Sequence, residues 1–150
     1  FGLVGDGTEL ETLKRYSEEL AISEYVTFTG RVPDQELLEW LNTSDVCVNP
    51  DIANEMNDKS TMNKIMEYMA LGKPIVQFDL AEGRFSAQRS SLYAAKNDER
   101  DLANKLVDLL DDQALRQEMG EFGRKRVVET LAWSHEVPKL LNAYQVLFER

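Results

Sequence analysis

The sequence predicts an α/β protein built on a doubly wound, Rossmann-like parallel sheet, with extra helices at the C-terminal end. Three observations predict it. Short runs rich in β-branched and aromatic residues recur along the chain, stretches with helical spacing of about ten or more residues separate them, and glycine or proline marks the junctions. Strands separated in this way need right-handed crossovers, and the product is a parallel sheet covered on both faces. Ligands of such sheets bind beyond the C-terminal strand ends, so residues 5–7, 30–32, 49–59 and 79–89 are expected to converge on one rim.

The elements follow in order. Phe1 to Val4 reads as a short buried strand running into Gly5-Asp6-Gly7, and Thr8 with Glu11 forms a capping box for a helix through about Ala21, whose inner face is Leu10, Leu13, Tyr16 and Leu20. Val26-Thr27-Phe28-Thr29 is a second strand closed by Gly30, and Pro33-Asp34 opens a helix carrying Leu37, Leu38, Trp40 and Leu41. After the strand Val46-Cys47-Val48 comes the most informative segment, residues 60–76. Ser60 or Thr61 can cap a helix on which Met62, Ile65, Met66, Met69 and Ala70 recur at helical spacing. Gly72 supplies a left-handed stop, Pro74 prevents continuation, and Ile75-Val76-Gln77-Phe78 is a buried strand. A loop through Arg89, a short strand at 92–94 and a helix from about Glu99 to Leu110 complete the alternation. The last forty residues read as helical, with one helix ending near Arg126 and another running from Trp133 to Phe148. There is no internal repeat and no low-complexity linker.

At 150 residues, with 43 % hydrophobic content, the chain suffices for one domain with an ordinary core, and residues 1–150 read as that single domain. Its 17 basic and 27 acidic residues leave a net charge of −10, which argues against general binding to nucleic acid or to an anionic membrane. The acid is unevenly placed: residues 1–50 hold three basic and ten acidic side chains, residues 51–100 seven and eight, with Lys59, Lys64 and Lys73 in the second group. Cys47, the single cysteine, reads as a small buried hydrophobe, and disulfide chemistry within the chain is excluded. No apolar run approaches membrane-spanning length and no signal-peptide pattern opens the chain, so a cytoplasmic location is expected, with peripheral membrane association left open for the full-length protein. The start at Phe1, already inside an apparent strand, suggests a piece of a longer protein.

Glu67 lies on the side of its helix away from the apolar stripe. A carboxylate on a helix whose N-terminus opens near a strand end suits a nucleotide, because free N–H groups and the helix dipole attract phosphate while the acceptor side chain takes ribose hydroxyls. Residues 67–76 resemble the helix-loop-strand of the group 1 family of retaining glycosyltransferases, in which the second Glu of a Glu-x7-Glu motif precedes a Gly-(Lys/Thr)-Pro-(Ile/Val)-Val run. Glu67 occupies the second position, and Lys59 stands where the first Glu is usual. The resemblance extends over nearly the whole chain: Leu3-Val4-Gly5-Asp6-Gly7-Thr8-Glu9-Leu10, Val26-Thr27-Phe28-Thr29-Gly30-Arg31-Val32, Ala70-Leu71-Gly72-Lys73-Pro74 and Leu131-Ala132-Trp133-Ser134 follow one another as in the family.

That family has the GT-B fold, two facing doubly wound domains with the active site between them, and the resemblance is to the C-terminal, nucleotide-sugar-binding half. It implies that Glu67 accepts hydrogen bonds from the ribose of a UDP- or GDP-linked sugar; the structural alternative is an i,i+3 salt bridge with Lys64. It further implies base contacts from Gly30, Arg31 and Val32, and a phosphate- or sugar-facing role for Gly5, Gly7, Lys59, Ser60, Thr61 and Met62. The plainer readings are a strand-ending glycine for Gly30 and simple capping for residues 59–62. Lys59 exchanges a hydroxyl acceptor for a cation able to contact phosphate, unless Asp58 or Glu55 supplies the carboxylate instead. The domain's first strand and the Arg and Lys that follow it in the family are not seen in this sequence.

Gly5 and Gly7 do not make a dinucleotide fingerprint, because position 10 is Leu. Asp79, Glu82, Arg84 and Arg89 read as a solvated loop more readily than as cleft residues. His135 has no cysteine or second histidine to join it in a metal site. The expected activity is transfer of a sugar from the nucleotide donor to an acceptor held by an N-terminal domain, without metal or covalent cofactor, and this piece alone is expected to be inactive. A non-catalytic nucleotide-sugar-binding or scaffolding domain is the rival of another class, and a GT-B sugar-nucleotide epimerase the rival enzyme.

Overall fold

In the computed structural model, which describes residues 1–148, strand β1 (Gly2–Val4) runs parallel to β2 (Thr27–Gly30), pairing Gly2 with Thr27 and Leu3 with Phe28. The register slips between Leu3 and Val4, and Gly5 then donates its N–H to the Gly30 carbonyl at 2.9 Å. The expected burial of this strand is corrected: β1 is exposed along its length, having β2 as its one partner among the described strands. Both glycines need left-handed backbone, φ 136° at Gly5 and 67° at Gly30, which side-chain-bearing residues rarely adopt. These strands, helix α1 (Leu10–Glu19) and helix α2 (Asp34–Thr43) form one unit, Phe1–Thr43; a second unit begins at Ser44.

Two expectations for α1 are corrected. The helix starts at Leu10, with Glu9 at its N-cap and no side-chain cap, so the Thr8–Glu11 box does not form. Its inner face is also rotated: Leu13, Tyr16 and Leu20 are 41, 55 and 50 % exposed, whereas Ser17 is buried. Leu10, Lys14 and Ser17 make the i, i+4, i+7 row that turns inward, and the Ser17 hydroxyl is satisfied by donating to the Lys14 carbonyl at 2.7 Å. A serine can therefore occupy a face that the apolar pattern assigned elsewhere.

The second unit carries β3 (Cys47–Asn49), β4 (Ile75–Phe78) and β5 (Ser91–Ala94), all parallel in that order. Hydrogen bonding thus divides the strands into two parallel sheets, one in each unit. Between β3 and β4 lie the short helix α3 (Glu55–Asp58) and helix α4 (Asn63–Ala70); between β4 and β5 lies α5 (Ala81–Ala87). The expected loop at residues 79–89 is therefore largely helical, because Leu80, Gly83, Ser86 and Ala87 recur at helical spacing and are buried. Helices α6 (Glu99–Asp111) and α7 (Gln113–Arg126), a π-helical turn (Val127–Leu131) and α8 (Trp133–Phe148) follow. None of the described helices is long and apolar enough to cross a membrane.

All four residues of β4 are buried, as a central strand covered on both faces requires. Alternation sends Ile75 into a cluster with Ile65 and Met69 of α4 and Ala87 of α5, while Val76 packs with Leu109 of α6 and Met119 of α7. Phe78 meets Leu80 and Ala94. Gln77 breaks the apolar run. Its carboxamide oxygen lies 3.4 Å from Nδ2 of the equally buried Asn49 on β3, and it is covered by Gly83, where a Cβ would come within 2.6 Å of it.

The stop after α4 forms as expected. Gly72 at φ 67° lets its own N–H reach the Met69 carbonyl and the Lys73 N–H reach the Tyr68 carbonyl, both at 2.9 Å. Helix α7 crosses this turn at Gly120, where a Cβ would lie 2.1 Å from the Gly72 oxygen, a backbone atom with no freedom to retreat. One turn on, Gly123 admits Ser90 and Met69, at 3.0 and 3.3 Å from where its Cβ would be. We expect Gly120→Ala to lower stability in denaturant melts by about 1–3 kcal/mol or more. Gly7→Ala, with nothing within 4 Å of the added methyl, should stay within about 0.5 kcal/mol of the parent.

Candidate functional site

Helix α4 presents two different faces. Ile65 and Met69 are buried and Met62 and Tyr68 pack on the same cluster, which leaves Glu67 exposed. The expected stripe is correct except at Ala70, which is exposed. The salt bridge weighed as the structural alternative is not formed: Lys64 Nζ lies 2.8 Å from Asp51 Oδ2, just beyond the end of β3. Glu67 forms no ion pair with a described residue, so its carboxylate faces solvent with its acceptor capacity uncommitted.

The approach to α4 differs from expectation in its caps. Met62 occupies the N-cap position and no described side chain caps the helix. Ser60 instead turns its hydroxyl back to the Met56 carbonyl at 2.6 Å, closing α3, and Thr61 donates to Glu82 Oε1 at 2.7 Å. The cause is α3 itself, a helix capped by the Asn54 side chain, which accepts the Asn57 N–H at 2.8 Å. That short helix makes Ser60 part of its ending.

Lys59 pairs with Glu55 at 2.7 Å across one turn, an exposed pair of little energetic weight that a stronger anion could displace. Lys73 donates to the Ser44 carbonyl at 3.0 Å. Asp58 accepts the Ala81 N–H at 3.0 Å and lies 3.1 Å from Lys96 Nζ, so it fastens α3 to the start of α5 and to the segment after β5. The Ala81 hydrogen bond first, and then Lys96, hold its carboxyl below the ordinary aspartate range. Neither Glu55 nor Asp58 is thus free of partners in the way that Glu67 is.

Two further groups close the picture around α4, the half-buried Tyr68 and the buried Cys47. Burial pushes the Tyr68 hydroxyl up to about 12, aided by the negative charge near Glu67 and Asp51, and burial likewise raises the Cys47 thiol. Both stay protonated at neutral pH, which suits Cys47 as packing rather than as a nucleophile.

In the first unit, Gly5 and Gly30 are brought together by their hydrogen bond, and Gly7 accepts the Leu10 N–H at 3.1 Å to start α1. Arg31 is exposed and forms no ion pair with a described residue, and Val32 is half-buried. Gly30 ends a strand and also takes the left-handed turn, so its plain structural role is fully used.

Sequence reasoning missed the part played by residues 79–89. Arg84 donates from Nε to Asp79 at 2.7 Å with its guanidinium 4.1 Å from the centre of the Tyr93 ring, and Arg89 lies over Phe122. These side chains pin α5 in place. Glu82 differs, because its contact is with the segment leading into α4. The helical spacing of Leu80, Gly83 and Ala87 was the available signal, obscured by the shortness of α5.

Comparison with known proteins agrees with this architecture. The family described as glycosyl transferases group 1 matches residues 1–112, and the chain belongs to that family. A D-inositol 3-phosphate glycosyltransferase of Thermomonospora curvata is 29 % identical over 136 residues, which cover 89 % of this chain and 30 % of that protein. A GDP-mannose-dependent alpha-(1-6)-phosphatidylinositol monomannoside mannosyltransferase of Mycobacterium tuberculosis is 26 % identical over 144 residues, 93 % of this chain and 37 % of that one. The chain spans about a third of the length of the curated relatives it matches.

Among solved structures, a glycosyltransferase from Rickettsia africae superposes with a TM-score of 0.84 at 16 % identity, covering 99 % of this chain and 40 % of that one. A variant of TarM from S. aureus, solved with fondaparinux, alpha-GlcNAc-glycerol and UDP, superposes at 0.81 with 19 % identity over 95 % of this chain and 28 % of that one. The fold is that of the GT-B glycosyltransferases.

The Asp58 contacts carry a pH dependence of definite sign. A carboxyl whose folded pKa is depressed stabilises the fold above its unfolded value, and that contribution is lost as pH falls through the folded value. Hydrogen exchange at the Ala81 amide should therefore accelerate, relative to the intrinsic rate, as pH falls below the ordinary aspartate range. Asp58→Asn should show little of that change, and identical profiles for the two proteins would refute the assignment.

Proposed function

We propose that this chain is the donor-binding part of a retaining glycosyltransferase, which takes a UDP- or GDP-linked sugar and passes the sugar to an acceptor held elsewhere in the enzyme. The observation that carries the reading is Glu67: an exposed carboxylate on α4 with no ion-pair partner among the described residues, on a helix whose N-terminus no described side chain caps. A ribose presents vicinal hydroxyl donors to such a carboxylate, and an uncapped helix start offers N–H groups and the positive end of the dipole to a diphosphate. The relatives agree in kind, since one is described as GDP-mannose-dependent and one solved structure contains UDP.

The chemistry asked of these residues is positional and electrostatic. Amides at the start of α4 hold the diphosphate, and the same groups stabilise the charge that develops on it as the glycosidic bond breaks. Lys59, Ser60, Thr61 and Met62 line the approach to that helix start, where Lys59 can leave Glu55 for a phosphate oxygen. In the first unit, taken by itself, Gly30, Arg31 and Val32 are proposed to contact the base, and Gly5 and Gly7 to let phosphate or sugar approach the backbone. The retaining course, the separate acceptor domain, the inactivity of this piece alone and the cytoplasmic location, with peripheral membrane association in the longer protein, all belong to the proposal. A non-catalytic nucleotide-sugar-binding domain is the second reading, favoured by the Lys59–Glu55 pair at a place where the family has a sugar-binding carboxylate.

Titration calorimetry of the chain with UDP and GDP tests the reading. One of the two should bind, and Glu67→Gln should weaken it by about 10-fold or more, since a hydrogen bond to a charged group contributes about 1.5–3 kcal/mol. Binding of neither nucleotide would sink the proposal. An unchanged affinity in Glu67→Gln would remove Glu67 from the site while leaving the family intact.

A further inference from the structure

The carboxylates around the start of α4 fall into two groups. Asp51 faces Lys64, Glu55 faces Lys59, Asp58 faces Lys96 and the Ala81 amide, and Asp79 faces Arg84. Glu67 and Glu82 have no such cation among the described residues. Glu82 is half-buried in the first turn of α5, four residues past the end of the central strand β4, and its Oε1 accepts the hydroxyl of Thr61. One hydroxyl uses a fraction of what an ionised carboxylate can accept, which is about four hydrogen bonds.

We propose that Glu82, oriented by Thr61, is a hydroxyl acceptor for the sugar of the donor, a specificity-determining residue of the nucleotide-sugar site. The inference rests on the donor-binding reading above and follows from the order of groups in the ligand. A nucleoside diphosphate sugar runs ribose, diphosphate, sugar. Glu67 stands about 6 Å along the helix axis from Asn63, the first residue of α4. With the ribose on Glu67 and the diphosphate at the helix start, the sugar falls beyond that start, where Thr61 and Glu82 stand. The C-terminal end of a central parallel strand is also where ligands of such sheets approach.

Thr61 has a defined part in this. By donating its hydroxyl to Oε1 at 2.7 Å it restrains the carboxylate and leaves Oε2 for a ligand hydroxyl. Gly83, the next residue, is packed against Gln77, which anchors the backbone that carries Glu82. Both restraints reduce the ordering cost that a long exposed glutamate would otherwise bring to binding.

The test compares each nucleotide with its sugar conjugate: UDP against UDP-glucose, GDP against GDP-mannose, by titration calorimetry on the chain and on Glu82→Gln. Glutamine keeps an oxygen for Thr61 and so preserves the fold, which an unchanged circular dichroism melt would verify. The expected result is a free-nucleotide affinity within about 2-fold of the parent and a loss of about 10-fold for the sugar conjugate. Thr61→Val should give a smaller loss of the same kind, because the carboxylate remains but is no longer held. Equal weakening of nucleotide and conjugate, or an unchanged conjugate, would overturn the Glu82 assignment alone. Absence of binding by the parent chain to all four ligands would overturn the donor-binding reading and this inference with it.

Discussion

The second unit depends on one close approach, the backbone of α7 at Gly120 against the carbonyl of Gly72 at the end of α4. A side chain at Gly120 would overlap the Gly72 carbonyl directly, and one at Gly72 would be strained by its left-handed φ. Because α7 can lie on this turn, Gly123 reaches Met69 and Ser90, and Met119 closes the opposite cluster around Val76. The two faces of β4 are thereby tied together by one helix. The rotation of α4 about its axis follows: Ile65 and Met69 must face Ile75, and Glu67 must face away.

The chemistry of the candidate site is a consequence of that rotation and of how neighbouring charges are spent. Basic and acidic side chains are nearly balanced in residues 51–100, seven to eight, and eight of these fifteen pair with one another on α3, α4, α5 and the β5–α6 connection. Pairing of exposed charges contributes little stability. Its larger effect here is selective, since among the described residues it leaves Glu67 and Glu82 without a cation, near a helix start that no described side chain caps. An uncompensated carboxylate beside an uncapped helix start suits a ligand that carries both hydroxyls and phosphate.

Some features were legible because they are local. Glycine with positive φ after an apolar helix, proline two residues on and a β-branched run make the α4–β4 connection readable from residues 60–76 alone. The exposure of Glu67 follows from helical spacing in the same way. Other features depend on competition between alternatives that sequence presents as equal. Ser60 can cap α4 or close α3, Lys64 can reach Glu67 or Asp51, and α1 can turn in Leu13 and Tyr16 or Lys14 and Ser17; the formation of α3 decided the first, and packing decided the other two.

The amino-acid sequence by itself determined the α/β class, the order of the strands and of the longer helices though not the short α3 and α5, the stop at Gly72 and the outward face of Glu67, because these rest on backbone preference and on spacing within a few residues. The tertiary structure alone decided which charges are neutralised. It placed Asp58 on Ala81 and Lys96, buried Gln77 beside Asn49 under Gly83, and set Glu82 against Thr61, contacts spanning 21 to 38 residues of chain. Such pairings depend on where crossovers bring side chains in space. Periodicity along the chain carries no record of that placement.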